Sequence, residues 1–443
     1  MSRRYFREYY LILILLIPCL SSADEPQQWI AGWQTTSPLN IARAGAAIVK
    51  KGNTLYILGG VDGRDFLRSV EYTHINDDGS LEPWQFTRSL NEARGFFDAA
   101  VVDNYLYVIA GGNGPNGKHL LRSIERTVIN PDGSLGLWHT LDSQLNLPRR
   151  CVKVLEQNRR LFALGGFGGT LLDSVESAAI NADGTLGQWL VEDRHMTMPR
   201  YVNTAKHIGD LAIVIGGHRE EGGVGIKAVE TARLSSSGIA SDWQNDEALN
   251  VGRYALSSAS DGKTLWAIGG LDGAIYSNSI ERALVNTSAK GHHLTPWQIT
   301  TALSTPRANV GAIVNGNLIY IIGGTNRDGY YNSVEVAQIN EQGDLGFYGS
   351  ANEADTYNNR KLARKSSTLP NSGKIIEIIQ TTSYTYLKVM GKGGASWLAA
   401  PQGEYNTGDM IHYSRGLAMS KFYSRMLDRQ FDEILFVERV EKQ

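Results

Sequence analysis

The sequence predicts an all-β chain, a six-bladed β-propeller followed by a small closed β-barrel of OB or SH3 type. Three observations carry that prediction. An apolar strand ending in paired glycines recurs six times, at residues 55–60, 106–112, 161–166, 211–217, 265–270 and 319–324. Successive glycine pairs lie 52, 54, 51, 53 and 54 residues apart, a repeat period. Beyond residue 350 the period stops, and five shorter strand-like runs follow, at 375–379, 384–390, 396–400, 410–413 and 434–437.

Composition agrees. Of 443 residues, 42% are hydrophobic and 20% charged, a globular balance, and 48 glycines against 12 prolines favour many tight turns between short strands. Lys+Arg number 43 and Asp+Glu 45, a net charge of -2, so no basic field recruits nucleic acid or an anionic membrane. Two cysteines exclude a disulfide framework.

The first segment, 1–23, reads as a signal peptide. Arg3, Arg4 and Arg7 precede the apolar run 11–17, and Pro18 and Ser21-Ser22-Ala23 follow, placing cleavage near Ala23. The run is shorter than the roughly 20 residues of a spanning helix. Lipidation of Cys19 is the alternative, and Pro18 disfavours it. Export leaves a mature chain of net charge -4, periplasmic or extracellular, with Cys151 as a small buried hydrophobe without a partner.

Residues 24–350 form the propeller. Each glycine pair is followed by a strand with a glutamate: Glu71, Glu125, Glu176, Glu230, Glu281 and Glu335. A turn comes next, clearest at Asp78-Gly79, Asp132-Gly133 and Asp183-Gly184. Then come Trp84, Trp138, Trp189, Trp243 and Trp297, and an arginine opens the next strand: Arg94, Arg149, Arg200, Arg253 and Arg307. Four short strands per unit cannot bury both faces of a single sheet, and radial packing around an axis can. The order glycine pair, Glu, Trp, Arg resembles the kelch repeat over about residues 28–350, which implies a six-bladed kelch-type β-propeller.

Closure follows from the ends. Trp33 and Arg43 stand before an apolar strand with no glycine pair ahead of them, and the sixth unit has Phe347 where a tryptophan belongs. The strand near Trp33 is therefore expected to complete the blade containing Glu335. The alternative is that 345–348 forms that outer strand and the N-terminal segment caps it.

Residues 351–372 are polar, with two basic clusters and Pro370, and read as a linker. Residues 373–443 form the barrel. Tyr384-Thr385-Tyr386, Trp397, Pro401, Gly408-Asp409, Met419, Phe422, Ser424, Arg429, Phe431-Asp432 and Phe436-Val437 fall in a series similar to NrfJ-like proteins, small exported barrels associated with respiratory nitrite reduction systems. Met390, Met410, Met419 and Met426 beside His412 invite Cu(I), but core filling is the simpler reading.

Six copies of Glu and Arg point to blade-stabilising pairs, since a catalytic site is normally unique and partly buried charges must be paired. The tryptophans read as core. The Asp-Gly turns lack the spacing of a calcium loop, and His292-His293 reads as a solvated turn, so neither a metal nor a cofactor is expected.

What varies between repeats is where binding is expected. In a blade whose first strand is innermost, the loops after the glycine pairs and those before the arginines share one face, and the kelch resemblance implies partner binding there. The candidates are Arg64, Asn116, His119, Arg150, Tyr201, His218, Arg219, Glu220, Tyr254, Arg327 and Tyr330. The reading favours a non-catalytic exported binding scaffold whose partner is a protein or a polar small molecule, not nucleic acid. One alternative is a periplasmic kelch-type sugar epimerase or mutarotase acting on an acidic sugar, with His218, Arg219 and Glu220 in one glycine-rich loop. Another, implied only by the tail, is accessory work in a periplasmic nitrite or redox system.

Overall fold

The computed structural model describes residues 27–442 apart from 220–222, 367–368, 382–383, 425–426 and 438. The expected signal peptide with Cys19, together with Glu220 and Met426, lies outside the described residues.

Six antiparallel sheets surround one axis. Their innermost strands are Ala47–Lys51, Asp98–Val102, Lys153–Gln157, Thr204–Ile208, Ser257–Ser260 and Gly311–Asn315. Each adjoins the next, and the sixth adjoins the first. The second strands are apolar throughout because neighbouring blades cover both of their faces: Leu55, Tyr56, Ile57 and Leu58 are buried to within 1%.

Closure uses both ends of the chain. Gln34–Thr36 pairs antiparallel with Val334–Ile339, setting Thr35 opposite Glu335 as Phe86 stands opposite Glu71 in the first blade. Trp33 supplies the missing tryptophan. Its Nε1–H donates to the Ala302 carbonyl at 3.0 Å, matching Trp84 to Ser37, Trp138 to Arg88 and Trp297 to Glu247. Leu345–Gly349 joins the same sheet further out, through Gln338–Gly346 and Ile339–Leu345, and Gln28–Ile30 pairs onto it. Both expected segments are therefore strands, at different levels of one blade. Phe347 packs with Ile30, Ala354 and Tyr357, outside the tryptophan position.

One register differs from the sequence reading. In every blade the arginine donates to the carbonyl 16 residues later: Gly59, Ala110, Gly165, Gly216, Gly269 and Gly323. The second blade's structural pair is thus Ala110-Gly111, not Gly111-Gly112. Ala110 holds a φ of 61°, and a bulge between Ile109 and Gly111 absorbs the extra residue.

The expected linker is a helix, Ala351–Ser366. A capping box starts it. The Ser350 Oγ accepts the Glu353 N–H at 3.3 Å, and the Glu353 carboxylate accepts the Ser350 N–H at 2.8 Å. Tyr357 ties the helix to the propeller by accepting the Trp33 N–H at 3.1 Å.

The five expected C-terminal runs are strands, and Leu417–Ser424 and Val440–Lys442 add two more. All seven lie in one sheet with Leu417–Ser424 and Val440–Lys442 at its ends, so the pairing among the described residues is an open path where a closed barrel was expected. Apolar clusters around Leu387 and around Phe431 cover its two faces. Met390, Met410 and Met419 are 47%, 44% and 36% exposed, which corrects the expectation that they fill the core.

Candidate functional site

The repeated charges are consumed inside the blades. Arg43–Glu71 and Arg94–Glu125 pair at 2.6 Å, Arg149–Glu176 at 2.5 Å, Arg253–Glu281 at 2.7 Å and Arg307–Glu335 at 2.9 Å; Arg200 pairs with Glu230 in the same way. Each glutamate also accepts backbone N–H groups from the connection between blades, as Glu71 does from Asn40 at 2.7 Å and Ile41 at 3.2 Å. Burial lowers the proton affinity of Arg43, Arg149, Arg200 and Arg253, and the partner glutamate opposes that shift. With both terminal guanidinium nitrogens hydrogen-bonded in every blade, such a pair tolerates burial, whereas a half-pair would not. All twelve side chains are thus taken up in internal pairs.

The loop face is built as expected. Short bridges join the residue after each arginine to a residue beside the glycine pair: Ala44 to Val61, Gly95 to Gly112, Arg150 to Phe167, Tyr201 to His218, Tyr254 to Leu271 and Ala308 to Thr325. The two loop sets therefore share one face.

Blades three to five bring several candidates into one arc. The Arg150 guanidinium lies 5.3 Å from the centroid of the Phe167 ring and donates to the carbonyls of Asn116 and Gly117 at 3.2 and 3.1 Å. Ring centroids then follow at 5.9 Å from Phe167 to Tyr201, 5.4 Å from Tyr201 to His218 and 3.5 Å from His218 to Tyr254. His218 is 2% exposed and its Nδ1 has no hydrogen-bond partner. Desolvation pushes its pKa down to about 4, so the ring is neutral at pH 7. Arg219 beside it is exposed.

The remaining candidates stand apart. Arg64 is exposed in a turn held by the Asp62 carboxylate. His119 is exposed, its Nδ1 2.6 Å from the Asn113 Oδ1. Tyr330 lies against Gly63, where a Cβ would come within 2.7 Å of the ring. Arg327 is taken up by the C-terminal sheet, donating to the carbonyls of Phe436 at 2.7 Å and Ala274 at 2.6 Å.

That docking was invisible in the sequence. Tyr384 donates to the Asp272 carbonyl at 2.5 Å and packs with Ala274 and Ile275, so the C-terminal sheet covers the loops of blades five and six. Gly273, at a φ of 56°, leaves the space that Tyr384 enters. Burial raises the Asp272 carboxyl to about 6, against the hydrogen bond it accepts from the Gly225 N–H at 3.2 Å. Asp272 falls among the polar loop residues expected on this face, whereas Phe167 was missed. Phe167 stands within two residues of a glycine pair, the position that aligning the repeats would have flagged.

On the opposite face the aspartates act as turn formers. Asp78, Asp132 and Asp183 accept the N–H and hydroxyl of Ser80, Ser134 and Thr185. His293 departs from the solvated turn expected of it. It is 6% exposed, and its N–H donates to Asp246 at 2.8 Å. No group of three His, Cys, Asp or Glu side chains suited to a metal occurs among the described residues, and no described helix is long and apolar enough to cross a membrane.

Comparison with known proteins agrees with this architecture. Residues 42–72 and 306–336, in the first and sixth blades, match the Kelch motif. The chain is 25% identical over 306 residues to alpha-scruin of Limulus polyphemus, covering 65% of this chain and 31% of that protein. It is 29% identical over 149 residues to spermatocyte protein spe-26 of Caenorhabditis elegans, covering 33% of this chain and 24% of that one. The chain thus spans a third or less of these curated relatives. Among solved structures, that of YjhT is similar with a TM-score of 0.56 at 15% identity, covering 71% of this chain and 99% of that one, a likeness of fold. Kelch repeats and a six-bladed propeller are thereby established for this chain.

Proposed function

We propose that this kelch-repeat propeller is an exported, non-catalytic interaction scaffold that presents the glycine-pair loop face of blades one to four to a protein partner. One observation carries the reading: every repeated charge is spent on an internal Arg–Glu pair, while the non-repeated Arg64, Arg150 and Arg219 stand with the Phe167 and Tyr201 rings on one face. Arginine and aromatic side chains are the residue types that dominate protein interfaces. The C-terminal sheet occupies blades five and six, which leaves the other four blades as the accessible part of the face. Export rests on the sequence of residues 1–23.

The test is crosslinking of the full chain in cells, followed by fractionation. Arg64→Glu with Arg219→Glu should abolish the crosslinked species without moving the melting temperature, since exposed loop substitutions cost little stability. Asp183→Ala, on the opposite face, should leave capture intact. The reverse result would overturn the choice of face, and a cytoplasmic full-length chain would overturn export.

A further inference from the structure

The axis itself carries a second feature. Two residues beyond each arginine, Gly45, Phe96, Cys151, Val202, Ala255 and Asn309 all adopt positive φ, between 50° and 59°. The five non-glycine backbones among these six would be strained unless something fixes them, and a circle of hydrogen bonds does. The N–H groups of Gly45, Phe96, Cys151, Ala255 and Asn309 donate to the carbonyls of Asn309, Gly45, Phe96, Val202 and Ala255 in the preceding blades, at 2.5 to 3.1 Å. At the remaining position the Val202 N–H is directed to the Cys151 sulfur. The innermost strands begin two residues beyond these turns, at Ala47, Asp98, Lys153, Thr204, Ser257 and Gly311.

There the ring adjoins a cavity of about 50 Å³. It is lined by Cys151, Lys153, Val202, Asn203, Ser257 and Asn309, with Phe96, Phe97, Leu256 and Val310 as apolar wall. Asn203 is 1% exposed, and neither its Oδ1 nor its Nδ2 has a hydrogen-bond partner. A buried amide left so forfeits the hydrogen bonds it makes to water in the unfolded chain, which a ligand would recover. Charge lies nearby. Lys153 lines the cavity, and Lys206 feels both Lys153 and the Asp98 carboxylate, which already accepts the N–H of Val154 at 2.9 Å and of Ala99 at 3.0 Å.

We propose that this axial cavity binds a small monocarboxylate, of the size of formate or acetate, through the Asn203 amide and the Lys153 ammonium. Its volume holds roughly three to five water-sized centres, which matches a carboxylate with one further carbon and is tight for phosphate or sulfate. The Lys153 charge on the lining suits a monoanion, and the apolar wall suits a methyl group. Burial lowers the proton affinity of Lys206, so a bound anion would also favour its charged form. The site is separate from the loop-face arc and does not depend on it.

The experiment is titration of the full chain, labelled with ¹⁵N-asparagine, with acetate and with formate at constant ionic strength. The Asn203 side-chain amide should shift saturably, and calorimetry should give one site. Lys153→Met and the isosteric Asn203→Asp should each weaken affinity at least tenfold with the melting temperature checked in parallel. If Lys153→Met fails to fold, the amide shift in the unaltered chain and Asn203→Asp decide the matter. No saturable shift, equal binding of phosphate, or affinity unchanged by both substitutions would each overturn the assignment.

Discussion

The Tyr320 hydroxyl donates to the carbonyl of Gly79 at 2.7 Å, joining the second strand of the last blade to the outer turn of the first. Three other blades reach forward identically: Tyr56 to Gly133 at 2.7 Å, Tyr107 to Gly184 at 2.7 Å and Trp266 to Gly343 at 3.0 Å. Blades three and four have Phe162 and Ile213 there, side chains with no donor. Each such turn therefore has two functions, reversing its own hairpin and offering a carbonyl to the blade behind. The Tyr320 contact differs from the rest in spanning 241 residues, because it closes the ring.

Tyr320→Phe should destabilise the propeller by about 1–3 kcal/mol, the cost of stranding a buried carbonyl, with the ring packing unchanged. Urea unfolding measures it. Ile213→Val, at a position with no such bond, should cost about 0.5–1.5 kcal/mol from the lost methyl alone.

Trp33→Ala should cost about 3–5 kcal/mol, the usual price of truncating a buried aromatic. Trp33 is 4% exposed and stitches the N-terminal strand to blade six. A melting temperature unchanged by this substitution would refute closure through Gln34–Thr36.

Arg149→Met should cost about 3–5 kcal/mol by leaving Glu176 buried and unpaired, and Arg149→Met combined with Glu176→Leu should recover a large part of that loss. Recovery separates a charge penalty from a packing one. Some deficit should persist in the double variant, since the Asn146 N–H, which donates to Glu176 at 2.6 Å, loses its acceptor.

The pH response should have two opposing parts. His218 has a folded pKa near 4, below its ordinary 6.5, so its stabilising contribution is full above about 6.5 and is lost as pH falls through 4. Asp272 has a folded pKa near 6, above its ordinary 3.8, so its contribution is full below about 3.8 and is lost as pH rises through 6. His218→Phe, which keeps a ring between Tyr201 and Tyr254, should remove the acid-side loss of stability. Asp272→Asn should remove the decline toward neutral pH. Melting curves from pH 3.5 to 7.5 distinguish them.

Arg327→Ala should loosen the C-terminal sheet from blades five and six, since both carbonyl contacts go with it. Faster hydrogen exchange at Ala274 and Phe436, with exchange in the other blades unchanged, is the expected sign. No change there would place the strength of docking on Tyr384 and its apolar neighbours.

Local sequence determined much of this molecule. The recurring glycine pair, Glu, Trp and Arg fixed the number of blades and the structural use of the charges, because each device acts within one blade or between neighbours and so repeats with it. The orphan Trp33 and the tryptophan-less sixth unit even located the closure. Three features depart from that repeat. Ala110 took the first glycine's place in blade two because the arginine reaches a fixed carbonyl, whichever residue supplies it. The polar stretch after residue 350 became a helix through Ser350 and Glu353, a capping signal that its low apolar content obscured. The assembly of Arg150, Phe167, Tyr201, His218 and Tyr254 and the seating of Tyr384 over Gly273 join residues up to about a hundred positions apart. No periodicity encodes such meetings, because they arise only when the ring closes and sets loops of different blades around one mouth.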